Sequence, residues 1–270
     1  MKIGFVIPSR LKSTRLPRKN LIHLGCQTAL EWAIERAQNV QCIDEVVVAT
    51  TPLKSDADIT KVCASKGIRY FLGDPVDVLK RIRDTAEYFD FDFVINITPD
   101  NTLFSMYLID LMANKIRENP SADYLKFKDV MLGTGIYALK KEALQTVCEF
   151  KEIIDTEIWG PLFYDKYFNV IEMKVPQFLQ AGYRLTMDTP EDYRMLRKIY
   201  SDLKITSSNL VELEEVIHYL DLHPEVAAIN SNIRQTAISQ DVIMDIKQYF
   251  EKNERNFYKI RDKYYGGRND

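Results

Sequence analysis

Cations gather at the start of the chain. The stretch "IPSRLKSTRLPRKN", residues 7–20, holds Arg10, Lys12, Arg15, Arg18 and Lys19, and no acid occurs before Glu31. Guanidinium forks and lysine point charges suit phosphate oxygens. Ser13 and Thr14 add hydroxyls, and the N–H groups of a turning loop add further donors. Five cations this close repel one another without an anion, which suggests a strongly charged ligand such as a triphosphate. A solvated basic loop is the alternative. The stretch is neither a Walker loop nor a dinucleotide fingerprint, since G-x-x-x-x-G-K-[ST] and G-x-G-x-x-G are both absent. Arg10, Arg15 and Lys19 are the candidate phosphate ligands. Lys12 reads as solvated, and Arg18 has no assigned role.

Two carboxylates could complete such a site. "NITPDN" places Asp100 after an apolar run, and "YRLTMDTPEDYRMLRK" places Asp188 before a helical pattern. Asp188 as a helix cap is one reading. In the other, Thr189 is the cap, Pro190 opens the helix and Asp192 takes the reciprocal capping position, leaving Asp188 free. Mg²⁺ takes a few carboxylates together with waters and phosphate oxygens, so Asp100 and Asp188 are its candidate ligands if they converge. His23, His218 and His223 lack metal-ligand spacing and are expected at the surface or in an interface. No G-x-S-x-G nucleophile motif occurs.

These residues need a scaffold that brings loop ends together. "KIGFVI" (2–7), "DEVVVATT" (44–51), "IRYFL" (68–72) and "FDFVINIT" (91–98) read as buried strands. Helical patterns at 28–40, 55–67 and 76–89 alternate with them, with Thr28 and Ser55 as caps and Gly67 as a stop. Such alternation predicts β-α-β units and a mostly parallel central sheet, hence an α/β fold. In open α/β sheets ligands bind at the carboxyl ends of the strands, where the basic loop and Asp100 would lie. Strands at 122–127, 133–139 and 169–175 and a helix at 189–203 follow. After Ile205 the pattern changes. Leu210, Leu213, Val216, Ile217 and Leu220 make one helical face, and Val242, Ile243, Ile246, Tyr249, Phe250 and Phe257 another. The expected organisation is a catalytic domain over 1–205 and a helical C-terminal extension over 206–270. The extension would cover the core or mediate dimerisation, and the end, "YYGGRND", reads as frayed.

Composition narrows the class. A chain of 270 residues, 46% hydrophobic, can bury a large core. A formal net charge of −3 argues against a general polyanion binder, so no nucleic-acid partner is expected. Cys26, Cys42, Cys63 and Cys148 have no short spacing and read as buried free thiols in a reducing cytoplasm. No apolar run approaches the ~20 residues that span a bilayer, so no membrane insertion is expected. A signal peptide is not expected either.

At this point the residues resemble a known family. "IPSRLKSTRLPRKNLIHLG" is similar to the N-terminal signature of the cytidylyltransferases that make CMP-activated acidic sugars, the 3-deoxy-manno-octulosonate and spore-coat SpsF types. Arg10, Ser13, Thr14, Arg15, Leu16, Pro17, Lys19 and Gly25 match it. "VVVATT" with Asp56, "GDPVDVLKR", "INITPDN", "GTGIYALKKEAL" and "RLTMDTPEDYRMLRKIY" resemble later family segments. The resemblance spans residues 1–203 and implies a GT-A-like nucleotide-binding fold and CTP as substrate. It implies that Pro8, Ser9, Arg10, Ser13, Thr14, Arg15, Lys19, Thr50, Asp77 and Arg81 bind the nucleotide. It implies that Asp100 and Asp188 hold Mg²⁺, and that CMP passes to an acidic sugar with loss of pyrophosphate. Lys126, Lys128 and Arg184 are candidates for the sugar carboxylate, and a homodimer is expected. Two positions depart from the family. Arg18 stands at the usual glycine, so the loop either turns differently there or gains a phosphate contact. Pro99 replaces the glycine before Asp100 and removes an N–H. A glycosyltransferase acting on a sugar nucleotide, a sugar-phosphate or phosphonate nucleotidyltransferase and a non-catalytic nucleotide-binding module are the competing functions.

Overall fold

The computed structural model describes residues 1–153, 156, 158–235 and 238–266. The chain runs β1 (Ile3–Pro8), a hairpin of β2 (His23–Leu24) and β3 (Gln27–Thr28), and α1 (Ala29–Gln38). It continues through β4 (Glu45–Thr50), α2 (Ala57–Ser65), β5 (Arg69–Leu72), α3 (Val78–Tyr88), β6 (Phe93–Asn96) and α4 (Met106–Glu118). Then come β7 (Tyr124–Lys128), β8 (Tyr137–Lys140), α5 (Lys141–Phe150), β9 (Val170–Lys174) and α6 (Pro190–Asp202). The C-terminal helices are α7 (Leu213–Leu222), α8 (Pro224–Ala227), α9 (Gln240–Lys252) and α10 (Glu254–Tyr265).

Seven strands form one sheet in the order β5-β4-β1-β6-β8-β7-β9. All pairs are parallel except those made by β8, which opposes both β6 and β7. The mostly parallel sheet read from the sequence is therefore present. Along β1 the side chains alternate between layers: Ile3, Phe5 and Ile7 join one core and Val6 the other. Gly4 lies where a Cβ would sit 2.2 Å from the Phe91 ring, so only glycine admits that packing. The first core gathers α1, α2, α4, α6 and α7; the second gathers α3, α5, α9 and α10.

Helix starts follow local chemistry. Thr28 and Glu31 form a reciprocal capping box on α1, as Thr189 and Asp192 do on α6 with Pro190 in its first turn. Asp77 caps α3 and Ser105 caps α4. Ser55 does not cap α2. A 3-10 turn at Lys54–Asp56 precedes that helix, and Asp56 takes the cap position without a side-chain cap bond because its carboxylate is used elsewhere. The strand expected over 133–139 begins only at Tyr137, since Gly133 turns with φ +95°.

The described residues from 206 to 266 cover the core on both faces. Val211, Leu213, Val216 and Leu220 pack in the first layer, while Ile246, Phe250, Phe257 and Ile260 pack in the second. Val242, expected on the buried face of α9, is 42% exposed. The expectation of a frayed end does not hold for Tyr264 and Tyr265, whose hydroxyls donate to Glu149 (2.5 Å) and Asp123 (2.7 Å). Its last four positions, 267–270, lie outside the described residues. Cys63 is buried, but Cys26 is exposed, so the thiols are not uniformly core groups. Among the described residues no helix is long and apolar enough to cross a membrane.

Candidate active site

The basic loop leaves β1 at the carboxyl edge of the sheet. Pro8 ends the strand, and the buried Ser9 continues it by donating its N–H to Ala49 O at 2.9 Å. Two buried groups then fix the loop's path. Asn20 Nδ2 donates to Ser9 Oγ and to Arg10 O, each at 3.0 Å. Asp56 accepts the Leu11 N–H at 2.8 Å and the Thr51 hydroxyl at 2.5 Å. Ser13, Thr14 and Arg15 stand on the outer part of the loop, with Thr14 and Arg15 exposed.

Arg18 keeps the left-handed conformation, with φ 55° and ψ 30°. The loop therefore takes the turn at which the resembling enzymes carry glycine. The Arg18 guanidinium is committed to Asp58 of α2 at 2.6 Å. Pro99 is equally well housed. Thr98–Asn101 is a turn closed by Asn101 N–H to Thr98 O at 3.1 Å, and proline suits its second position. The turn presents Asp100, 8% exposed.

The two candidate carboxylates converge. Lys19 Nζ donates to Asp100 Oδ2 and, at 2.7 Å, to Asp188 Oδ1. Burial acts to lower the Lys19 pKa, but Asp100 and Asp188 outweigh it and the net shift is upward. Arg15 approaches Asp188 Oδ2 at 3.4 Å, and Arg184 donates to the same oxygen at 3.1 Å. Behind them Arg184 makes a forked pair with Asp192 at 2.8 and 3.0 Å. Asn230 donates to Asp192 Oδ1 (2.9 Å) and to Arg184 O (3.0 Å), and Gln235 accepts from Arg184 Nη1 at 3.1 Å. Thr189 serves as the α6 cap, which leaves Asp188 available, as its second reading required. The segment is set by backbone as well: Leu185 N–H donates to Leu132 O at 2.7 Å, and Met187 N–H to Asp100 O at 2.9 Å. Gly133 sits so close that a Cβ would meet Thr186 N at 2.3 Å.

Across the loop lie further buried polar groups. Arg10 Nη1 donates to Pro75 O at 2.9 Å, and Arg81 Nη1 to Asp74 O at 2.5 Å. Arg81 is 1% exposed, and its pKa is pushed down to about 10 by burial and then by Arg10, so it stays charged at neutral pH. Arg81 Nε, Thr50 Oγ1 and Asn20 Oδ1 are buried with no hydrogen-bond partner among the described residues. Such orphans cost about 1–3 kcal/mol each and are what a polar ligand would satisfy. Asp77 is used inside the protein: it accepts from Lys80 N–H (2.9 Å) and the Thr156 hydroxyl (2.7 Å) and pairs with Lys151.

Of the sugar-carboxylate candidates, Lys126 pairs with Glu172 at 2.9 Å, Lys128 is exposed and Arg184 is committed to Asp188 and Asp192. His23 and His218 are exposed and His223 is half-buried. Asn20, Asp74, Asn230 and Gln235 were not singled out from the sequence. Asparagines in loops carry no period, and Asn230 acts on a residue 38 positions away.

Among the described residues no group of three or more His, Cys, Asp or Glu side chains could hold a metal by themselves. Asp100 and Asp188 nevertheless fit a cation jointly, since one ammonium already bonds to both.

Comparison with known proteins identifies the family. The cytidylyltransferase family model matches residues 5–233. The uncharacterized protein MJ1063 of Methanocaldococcus jannaschii is 33% identical over 239 residues, covering 87% of this chain and 97% of that protein. The spore coat polysaccharide biosynthesis protein SpsF of Bacillus subtilis is 27% identical over 234 residues, covering 83% and 96%. Among solved structures, a cytidylyltransferase from Leptospira borgpetersenii superposes with a TM-score of 0.79 at 24% identity, covering 87% of this chain and all of that one. The chain belongs to the cytidylyltransferase family and is a CTP-dependent nucleotidyltransferase.

Proposed function

We propose that this chain transfers CMP from CTP to the hydroxyl of an acidic sugar, releasing pyrophosphate, in the assembly of a surface polysaccharide. The observation that carries this reading is the meeting of Asp100, Asp188 and Lys19 beside the basic loop. Arg10, Arg15 and Lys19 bind the triphosphate and offset charge growing on the leaving pyrophosphate. Arg81 and Thr50 offer the polar atoms that read the base. The acceptor oxygen attacks the α-phosphorus in line. Its bond to phosphorus forms as the α–β bridge breaks, and the hydroxyl proton goes to solvent. Asp100 and Asp188 would hold a divalent ion, Mg²⁺, which supplies Lewis-acid charge at phosphate oxygens. Arg184, locked by Asp192 and Asn230, keeps Asp188 in place.

A cytoplasmic homodimer belongs to the same proposal. Edge strand β5 exposes Tyr70 and Leu72, at 43% and 47%, as an apolar surface for a second copy.

The test is pyrophosphate release with each of the four NTPs against acidic, neutral and phosphorylated acceptors. CTP with an acidic sugar is the expected pair. Asp100→Ala and Asp188→Ala should each abolish the metal-dependent release, and near-normal turnover in either overturns the metal assignment.

A further inference from the structure

A cleft of about 710 Å³ is lined by residues that include Tyr124, Lys126, Tyr137, Tyr164, Glu172 and Lys247. Its size lies within the ~300–1,000 Å³ of small-molecule sites. Tyr137 pairs with Asn96 of β6 on one side and with Lys126 of β7 on the other. Because β6 and β7 both oppose β8, they run the same way, and the Lys126 end of β7 lies at the sheet edge that carries Asp100. With strands about 4.8 Å apart, Lys126 stands about 10 Å from Asn96. The cleft thus adjoins the reacting end of the molecule.

Its walls have the chemistry of a sugar site. Tyr124 and Tyr137 line it with ring centroids 6.3 Å apart, and Trp159 packs edge-on against both at 5.8 and 5.3 Å. Tyr124 is 3% exposed, yet neither its hydroxyl nor that of Tyr137 makes a hydrogen bond among the described residues. Tyr137 is half-buried, and neither phenol oxygen is sealed from solvent, so both hydroxyls are open to a ligand in the cleft. The charges are divided. Lys126 and Glu172 hold each other at 2.9 Å. Lys247 has only the Tyr164 ring, at 5.2 Å, and no carboxylate within ion-pair distance among the described residues. Asp165, also on the rim, makes no ion pair there either and can accept from hydroxyls. A hydroxyl-rich molecule with one anionic group fits this set.

Lys247 belongs to α9, beyond residue 233 where the family match ends. We propose that α9 makes this cleft the acceptor subsite and that Lys247 selects the carboxylate of an acidic sugar. The inference rests on the CMP-transfer reading but is tested apart from it. Binding of 3-deoxy-manno-octulosonate, N-acetylneuraminate and D-glucuronate is followed by Trp159 fluorescence, with D-glucose as the neutral control. Trp32, the other tryptophan, is fully buried and serves as a constant background. At least one acid should bind wild type more tightly than glucose. Lys247→Glu should weaken that acid about tenfold or more, and Lys247→Gln by less, while glucose is unaffected. No binding by any acid, or affinities within twofold in Lys247→Glu, overturns the proposal. CTP affinity is measured separately: its absence in wild type would defeat the transfer reading while leaving the sugar result to decide the cleft.

Discussion

Lys19 and Asp188 stand 169 positions apart in the chain and meet at 2.7 Å. The same ammonium bonds to Asp100, so a lysine is the resident cation between the two candidate metal ligands. A free divalent ion must displace that ammonium, whereas metal arriving with a triphosphate brings the anion that draws Lys19 away. Lys19→Met should therefore act in opposite directions. CTP affinity should fall, and affinity for Mn²⁺ without nucleotide should rise, each by about tenfold, or ~1.4 kcal/mol. Paramagnetic resonance of free Mn²⁺ measures the second effect. Unchanged or weaker Mn²⁺ binding would show that lysine does not guard the site.

Asn230 acts on the same carboxylates from behind. Asn230→Ala removes the donor to Asp192 Oδ1, which is fully buried. The stability loss should be about 1–3 kcal/mol by urea unfolding. Because Asp192 holds Arg184 and Arg184 holds Asp188, kcat should drop while KM for CTP stays nearly constant. A loss below about 0.5 kcal/mol would class Asn230 with ordinary surface positions.

Arg18 occupies a backbone conformation that costs a side-chain residue about 1–2 kcal/mol. Its pair with Asp58 is solvent-exposed and screened, so it offsets little of that cost. Arg18→Gly is expected to leave stability unchanged or raise it by up to ~1 kcal/mol, with CTP affinity retained. A clear fall in CTP affinity, measured by calorimetry, would assign Arg18 to the nucleotide.

Asp74 provides a pH signature. Burial works to raise its pKa, but N–H bonds from Asp77 and Val76 and the Lys80 ammonium bring it down to about 2. A carboxylate depressed in the folded state contributes stability above its unfolded pKa, about 3.9, and loses it as pH falls toward the folded value. Asp74→Asn should therefore lower the urea midpoint at pH 7, and the gap from wild type should close between pH ~4 and 2. A gap independent of pH would mean the charge of Asp74 contributes nothing.

Much of this was legible before the structure. Buried strands and amphipathic helices announce themselves by period, so β1, β4, β5 and β6 and the helices between them were found within a few residues. Thr189, Pro190 and Asp192 spelled out a capping box, which freed Asp188 for other work. The basic loop was visible because like charges rarely crowd without cause. What stayed hidden depends on tertiary proximity. Asn20 and Asn230 have unremarkable neighbours in sequence, and their role comes from which buried oxygen they reach. Asp77 was a nucleotide candidate only through the resemblance of "GDPVDVLKR" to a family segment, while Lys151 and Thr156, which engage it, lie more than seventy positions on. Turns such as Gly133 shortened β8 because a left-handed residue interrupts strand pairing.

The crossing of the C-terminal helices from one layer to the other sets a schedule for synthesis. α7 closes the first layer early, but Phe150, Tyr167 and Phe168 wait for Phe250 and Phe257 of α9 and α10. Until those last turns have been translated, an aromatic surface stays open to chaperones and to neighbouring nascent chains. Lys247 arrives in the same interval. An early stop codon in this stretch would thus release a sticky chain that already carries its phosphate loop and both aspartates, and the folding fault would precede any catalytic one.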